Sequence, residues 1–204
     1  MTAPTLHPDV AVLVRKDRKL ASIVDAYGAP PPWQRPPGFA TLLRIILEQQ
    51  VSLASARAVY ERLRSITAVQ PAALLALSDQ QLKQAGFSRQ KIAYSRNLAR
   101  AIASNQLDLA ALELLDNEEV RSHLTAIKGI GPWTANIYLL MVLQRPDIWP
   151  QGDLALQIAI QRLYNLVQRP SATEAAAMAQ RWQPRRSAAT KLLWHFYLSA
   201  PKGR

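Results

Sequence analysis

The stretch LTAIKGIGPWTA, residues 124–135, predicts a helix, a tight turn and a second helix. Its glycines, Gly129 and Gly131, stand one residue apart, which disfavours a helix there and allows a backbone with positive φ. Pro132 suits the first turn of the helix that follows. The N–H groups of such a turn and the positive end of the helix dipole can bind a phosphate, and Lys128 could add charge. An ordinary connection between two helices is the alternative.

Apolar residues recur at spacings of three and four along nearly the whole chain, and no alternating strand of five or more residues is apparent. This pattern predicts an all-α protein, a two-lobed bundle of about ten helices that contains the helix-hairpin-helix motif. Three capping boxes predict helix starts, at Ser78 with Gln81, Asp116 with Glu119, and Ser171 with Glu174.

Prolines set the N-terminal region apart. A helix is predicted from Pro8 to about Tyr27, and the prolines at 30–32 follow its end. We therefore divide the chain into residues 1–37, an N-terminal helix with a Pro-rich strap, and residues 38–204, the helical domain. The N-terminal helix is expected to pack on the C-terminal lobe.

The composition excludes several kinds of site. The chain has 204 residues, 25 Lys and Arg against 14 Asp and Glu, a net charge of +11 and no cysteine. Disulfides, iron–sulfur clusters, cysteine-bound zinc and thiol nucleophiles are therefore excluded, and 3 histidines predict no metal site. No apolar run approaches the roughly 18 residues of a membrane span. The start of the chain lacks the apolar segment of a signal peptide, so we expect a cytoplasmic protein.

The charges are segregated along the chain. Residues 80–107 carry five cations and no acid, and residues 169–204 carry seven cations, including Lys202 and Arg204, against Glu174 alone. Acidic residues gather instead between 108 and 119. This distribution predicts a basic face for a polyanion such as DNA. Dispersed, solvated helix faces are the alternative.

Four motifs in a fixed order resemble one protein family. They are residues 45–52 (IILEQQVS), 128–135 (KGIGPWTA), 150–156 (PQGDLAL) and 182–187 (WQPRRS). Together they resemble the helix-hairpin-helix DNA glycosylase superfamily, and within it the 3-methyladenine DNA glycosylase II (AlkA-like) family. The chain is similar to the short form of that family, because only about 37 residues precede the helical region, where long members carry an α/β domain.

The resemblance implies an enzyme that flips an alkylated purine such as 3-methyladenine out of duplex DNA and hydrolyses its N-glycosidic bond. It places the catalytic carboxylate at Asp153, where an anion would stabilise the sugar cation or orient the attacking water. Asp is also a common helix N-cap, and the two roles are compatible. Bifunctional members carry a lysine two positions after the second hairpin glycine. Trp133 stands there, so the implied enzyme is monofunctional and leaves an abasic site.

Three aromatic residues are implied in the base pocket, Trp133, Trp194 and Tyr138. Indole faces can attract a cationic alkylated purine by stacking and cation–π contacts, worth roughly 0.5 to 2 kcal/mol each. Such a base is already a good leaving group, so one carboxylate can suffice. Packing in the core is the alternative for each aromatic. Ile137 stands where the family commonly has an aromatic residue, which leaves the pocket's shape open.

The residues expected to contact DNA are Lys128, Gly129, Ile130, Gly131, Thr134, Gln50 and Arg186. By resemblance, Gln50 fills the base stack when the target base leaves. We expect the Gln49-Gln50 pair to be buried, and backbone hydrogen bonding at a helix junction is its alternative role. Arg186 is implied to be a buried or phosphate-facing cation near the catalytic carboxylate. Arg185 stands where the family often has an aromatic residue, and we expect it to strengthen the basic face. One inward and one solvated arginine is the alternative.

No cofactor or metal is expected to be required, although backbone carbonyls of the hairpin could hold a monovalent cation. The expected partner is double-stranded DNA containing alkylated bases, bound by a monomer without a membrane, at the nucleoid if the cell is prokaryotic.

Three alternative functions stay open. One is a glycosylase for hypoxanthine, uracil or etheno adducts, whose poorer leaving groups would depend more on Asp153. Another is a non-catalytic helix-hairpin-helix module that only binds DNA, for which a carboxylate facing phosphates would be a cost. The third is a basic helical domain that binds an acidic protein, which leaves the Gly-x-Gly turn unexplained.

Overall fold

The computed structural model describes residues 6–201, so Lys202 and Arg204 of the basic C-terminal stretch lie outside the described residues. Twelve α-helices lie within that range. They are α1 (Pro8–Lys16), α2 (Arg18–Tyr27), α3 (Phe39–Glu48), α4 (Leu53–Ile66), α5 (Pro71–Ala76), α6 (Asp79–Gln84), α7 (Arg89–Ala103), α8 (Asn117–Thr125), α9 (Pro132–Met141), α10 (Leu154–Tyr164), α11 (Ala172–Ala179) and α12 (Arg186–Ser199). Two short 3-10 helices, Ala111–Leu114 and Gln180–Trp182, complete the set. The described residues contain no strand, and the all-α prediction is confirmed.

The helices form two compact units. The first unit contains the described residues up to Gln34 and those from Gln144 onward, and the second unit is Arg35–Leu143. In the first unit, α12 packs against α1, α2 and α10. In the second unit, α3 packs against α4, α7 and α9, and its residues Leu42, Leu43, Ile45 and Ile46 are fully buried. No helix among the described residues has the length and apolar character needed to cross a membrane. The predicted division at residue 37 stays a prediction.

All three predicted capping boxes are confirmed. The side chains of Ser78, Asp116 and Ser171 each accept a hydrogen bond from the N–H group three residues on. The Gln or Glu side chain at that position accepts one in turn from the N–H group of the capping residue. These starts were predictable because a capping box depends only on residues within one turn of helix.

The prediction of one helix from Pro8 to Tyr27 is wrong, because Asp17 divides it into α1 and α2. Asp17 has an extended backbone, with φ −126° and ψ 104°, and its carboxylate accepts hydrogen bonds from the N–H groups of Lys19 and Leu20 at 3.0 and 3.3 Å. Apolar periodicity runs through this break, since one non-helical residue scarcely changes which faces are apolar.

Asp17 is also a centre of hydrogen bonding in the first unit. Its Oδ2 accepts hydrogen bonds from the Tyr164 hydroxyl at 2.7 Å and from the Trp182 indole N–H at 3.0 Å. Burial acts to raise the pKa of Asp17, but the hydrogen bonds from Trp182, Tyr164 and the backbone outweigh it and lower that pKa. A single carboxylate thus joins the N-terminal helices to residues near the other end of the chain.

We expect Asp17→Asn to make the stability less dependent on pH in acid. Because the folded-state pKa of Asp17 is lowered, its stabilisation is complete above the unfolded-state pKa and is lost as the pH falls through the folded-state pKa. The variant has no such group to protonate, although at neutral pH it should be less stable by about 1–2 kcal/mol. Urea denaturation of both proteins at pH 6 and pH 3 measures the difference. If the parent and the variant lose the same free energy of unfolding between pH 6 and pH 3, the Asp17 carboxylate does not stabilise the fold as proposed.

Candidate active site and nucleic-acid interface

The predicted glycine turn joins α8 to α9 in the second unit. Gly129 has a φ of 111°, which side-chain-bearing residues rarely adopt, and a Cβ atom there would lie 2.3 Å from Cγ of Tyr94. Gly131 differs, because its φ is −95° and a Cβ atom there would meet nothing within 4 Å. The expectation that both glycines free the backbone for positive φ is therefore correct for Gly129 and wrong for Gly131. α9 then begins at Pro132, as predicted.

The predicted DNA-contacting residues of the turn differ in exposure. The Lys128 side chain is exposed, and Gly129 and Gly131 are half-buried. Ile130 and Thr134 are only 4% and 1% exposed, so their side chains belong to the core. Thr134 lies in the first turn of α9, where backbone N–H groups have no partner within the helix. Thr134 could therefore meet a phosphate through its backbone N–H group and not through its side chain, whereas the N–H group of Ile130 already donates to the Ile127 carbonyl.

The carbonyl groups of the turn already accept hydrogen bonds. The Asn97 amide donates to the Lys128 carbonyl at 3.1 Å, and the Gln49 amide donates to the Gly129 carbonyl at 3.0 Å. The Ile127 carbonyl accepts from the N–H group of Ile130 at 2.9 Å. A carbonyl oxygen has a second lone pair, so the turn remains compatible with a monovalent cation. The cation stays a prediction, and no step below depends on it.

The two glutamines after α3 have different environments. α3 ends at Glu48, and Gln49 is half-buried with its amide bonded to the turn. Gln50 is exposed, with a φ of 57°. The expectation of a buried pair is therefore wrong for Gln50, because the chain leaves the helix before reaching it. Its side chain is free to meet a ligand.

Asp153 lies in the first unit at the start of α10. Its Oδ1 accepts hydrogen bonds from the N–H group of Leu156 at 3.0 Å and from the indole N–H of Trp194 at 3.4 Å. The residue is 8% exposed. The N-cap prediction is confirmed, and the structure brings together two of the predicted site residues, Asp153 and Trp194.

The WQPRRS motif holds the loop that leads to Asp153. The Arg186 guanidinium binds the Asp147 carboxylate through two hydrogen bonds, at 2.8 and 2.9 Å. Ser187 accepts a hydrogen bond from the N–H group of Ile148 at 2.9 Å and donates one to the Arg145 carbonyl at 2.6 Å. Burial acts to raise the pKa of Asp147, but its hydrogen bonds with Arg186 and the positive charge of that residue lower it.

The two arginines of this motif therefore both have carboxylate partners. The partner of Arg186 is Asp147 and not Asp153, and Arg185 forms an ion pair with Asp9 at 2.9 Å. The expected contact of Arg186 with DNA stays a prediction.

Trp33 is a neighbour of the site that the sequence did not single out. Its ring meets that of Trp194 edge-on, with centroids 6.0 Å apart, and also lies against His195. Trp33 has a φ of 42°, which is unusual for a bulky residue. Only its presence as an aromatic residue among prolines could have signalled a packing role for the strap.

The other predicted pocket residues, Trp133 and Tyr138, lie on α9 in the second unit. Trp133 is half-buried in the first turn of the helix. Tyr138 is fully buried, and its hydroxyl has no hydrogen-bond partner among the described residues. Burial, together with the charge of Glu113, raises the pKa of Tyr138 to about 12, so its hydroxyl stays protonated. Their roles in a base pocket stay predictions.

Comparison with known proteins gives matches over most of the chain. The family described as HhH-GPD superfamily base excision DNA repair protein matches residues 43–185. YfjP of Bacillus subtilis is 32% identical over 162 residues, which are 75% of this chain and 56% of YfjP. The chain therefore spans little more than half the length of that relative.

Two solved structures cover nearly the whole chain. A DNA-3-methyladenine glycosidase from Bacillus halodurans is 32% identical with a TM-score of 0.76, covering 95% of this chain and 90% of that one. The 3-methyladenine DNA glycosylase Mag1 of Schizosaccharomyces pombe, solved in complex with abasic-DNA, is 26% identical with a TM-score of 0.88, covering 97% and 100%. The fold predicted from the sequence is therefore confirmed.

Proposed function

Because the chain belongs to the HhH-GPD superfamily of base excision DNA repair proteins, we propose that it is a monofunctional DNA glycosylase. It removes alkylated purines such as 3-methyladenine from duplex DNA and leaves an abasic site. The observation that carries this proposal is the 8% exposed Asp153, which caps α10 and contacts the Trp194 indole. The names of the Bacillus halodurans and Schizosaccharomyces pombe enzymes support the choice of 3-methyladenine.

Asp153 acts on the sugar of the flipped nucleotide. The bond between C1′ and the purine nitrogen breaks, its electron pair leaves with the base, and positive charge develops on the sugar. The Asp153 carboxylate stabilises that charge, and a water molecule adds to C1′ and gives up a proton. An N-alkylated purine is cationic before cleavage and neutral after it. It therefore leaves without a general acid, which agrees with the single catalytic carboxylate that the family resemblance implies.

Two features argue against a lyase step. Trp133 occupies the position, two residues after Gly131, at which a Schiff-base lysine would stand. Lys128 precedes the glycines and points its side chain into solvent. Water is therefore the nucleophile, and the DNA strand stays intact.

The turn at residues 128–131 binds the DNA backbone. Its N–H groups and the N-terminus of α9 face a phosphate without reading the sequence. The partner is double-stranded DNA bound by a monomer, and in a prokaryotic cell the protein acts in the cytoplasm, at the nucleoid. A non-catalytic DNA-binding module would need the same turn but no buried carboxylate.

The proposal is tested by incubating the protein with duplex DNA treated with a methylating agent and identifying the released bases by chromatography. We expect release of 3-methyladenine, no strand cleavage, and no covalent complex after borohydride reduction. Release of hypoxanthine, uracil or etheno adducts from duplexes that contain them, without release of 3-methyladenine, would show that the enzyme acts on another damaged base. Salt-dependent DNA binding without release of any base would show that the protein is a non-catalytic DNA-binding module.

We expect Lys128→Ala to weaken DNA binding most at low salt. Removing one phosphate contact should reduce the slope of the logarithm of the affinity against the logarithm of the salt concentration by about 1. Fluorescence anisotropy with an undamaged duplex at several salt concentrations measures the slope. The matched control is Lys19→Ala, which removes an exposed lysine from α2 and should leave the slope unchanged. Equal slopes for the parent and Lys128→Ala would contradict the predicted contact.

A further inference from the structure

Gln49 bridges the two sides of the glycine turn. Its Nε2 atom donates hydrogen bonds to the Gly129 carbonyl at 3.0 Å and to the Thr134 hydroxyl at 2.9 Å. The first acceptor lies within the turn and the second lies in the first turn of α9. The Gln49 amide group therefore fixes the glycine turn relative to α9, the helix that follows the turn. We call these two hydrogen bonds the Gln49 clamp.

The backbone of Gln49 is itself held from α7. The Lys91 ammonium group donates to the Gln49 carbonyl at 3.0 Å and also to the Leu47 carbonyl. Burial lowers the pKa of Lys91, and the charge of Glu48 acts in the opposite direction. The Glu48 carboxylate binds Arg35 through two hydrogen bonds of 2.9 Å. The end of α3 is thus fixed on both sides.

α7 holds the turn as well. Asn97, six residues after Lys91, donates to the Lys128 carbonyl at 3.1 Å, and the Tyr94 ring fills the space beneath Gly129. The end of α3 and the turn therefore share one support, and they are also joined directly by Gln49.

Gln50 follows the clamp immediately. Consecutive Cα atoms are about 3.8 Å apart, so an anchored Gln49 leaves Gln50 little freedom of position. The chain leaves the helix at Gln49, whose ψ is 127°, and Gln50 follows as an exposed residue with a φ of 57°. The residue expected to enter the base stack is thus next to the residue that holds the phosphate-binding turn.

We propose that Gln49 is a positioning residue that couples the phosphate-binding turn to Gln50, so that DNA meets both as one preorganised surface. This inference rests on the proposed function. Preorganisation reduces the conformational entropy that is lost on binding. The resulting gain in affinity is largest for DNA that contacts both the turn and Gln50. Both parts are used only by DNA that has lost a base from its stack, because intact duplex offers no gap for Gln50.

The test compares binding to two duplexes, one with an abasic site and one undamaged. Gln49→Met keeps the length of the side chain and removes both hydrogen bonds of the clamp. We expect it to reduce the preference for the abasic-site duplex by about 5-fold, as loss of one to two modest hydrogen bonds would. A variant that merely destabilised the fold would weaken both complexes equally and leave the preference unchanged.

A double-mutant cycle with Gln50→Ala identifies the coupling. In the Gln50→Ala background, Gln49→Met should change the preference by less than about 2-fold, because neighbouring residues that act together are not additive. The matched control is Gln180→Met, since the Gln180 amide also donates to a backbone carbonyl but lies in the first unit. This control should behave as the parent does. Independent, additive effects of Gln49→Met and Gln50→Ala would overturn the proposal.

Two further conditions keep the outcome clear. If Gln49→Met does not fold, Thr134→Val replaces it in the cycle, because it removes only one acceptor of the clamp. If the parent releases no base from any duplex, the proposed activity fails, while the binding preference still decides the role of Gln49.

Discussion

Asp153→Asn is expected to lower the rate of base release by on the order of 10²- to 10³-fold, since it removes the charge that faces the developing sugar cation. The fold should be retained, because Asn is as good an N-cap as Asp and can still accept the hydrogen bond from Leu156. Single-turnover release of 3-methyladenine from methylated duplex DNA gives the rate of the chemical step. Affinity for the abasic-site duplex should remain close to that of the parent.

The matched control for this substitution is Asp116→Asn. Asp116 caps α8 through the N–H groups of Glu118 and Glu119, and it has no expected part in the chemistry. Base release by this variant should equal that of the parent. If Asp153→Asn and Asp116→Asn both leave release unchanged, Asp153 is only a helix cap, and another group carries the reaction.

Gly129→Ala is expected to lower the free energy of unfolding by about 2–4 kcal/mol, from backbone strain and overpacking together. The methyl group would lie 2.3 Å from the Tyr94 ring at a φ of 111°, so either the turn or α7 must move. DNA affinity should fall as well, because the turn would no longer present its N–H groups correctly. Urea denaturation and anisotropy measure the two effects.

Gly131→Ala adds the same methyl group where it would meet nothing within 4 Å, at a φ of −95°. Its cost in stability should be under about 1 kcal/mol, the usual loss for an alanine at an N-cap. If the DNA affinity of Gly131→Ala falls by more than this small loss of stability, the added methyl group clashes with the phosphate itself. Equal stability of the two alanine variants would contradict the close approach of Tyr94 to Gly129.

The local features of this fold were predictable from the sequence. The capping boxes, the start of α9 at Pro132 and the N-cap at Asp153 each depend on residues within one turn. The break at Asp17 was not predicted, because the apolar period continues across it. The exposure of Gln50 was also missed, because it depends on the residue at which α3 ends. Helix boundaries are the least certain part of a sequence-based prediction.

The partners of the site residues depend on contacts that no local pattern contains. The Gln49 amide donates hydrogen bonds to Gly129 and Thr134, which lie 80 and 85 positions further along the chain. Trp33 meets Trp194 from the other end of the chain. The motif at 45–52 contains Gln49, and the family resemblance implied a role for Trp194, but neither indicated which atoms these residues contact.

The first unit is built from two stretches that lie on either side of the second unit in the sequence, and this affects the order in which the protein can fold on the ribosome. Asp17 and Trp182 are 165 residues apart, so their hydrogen bond must wait until the residues between them have been synthesised. Arg35–Leu143 is complete well before α12 emerges. The apolar faces of α1 and α2, with Leu13, Leu20 and Ile23, therefore stay without their partner α12 until α12 has been synthesised. During that interval these helices expose apolar surface of the kind that chaperones protect.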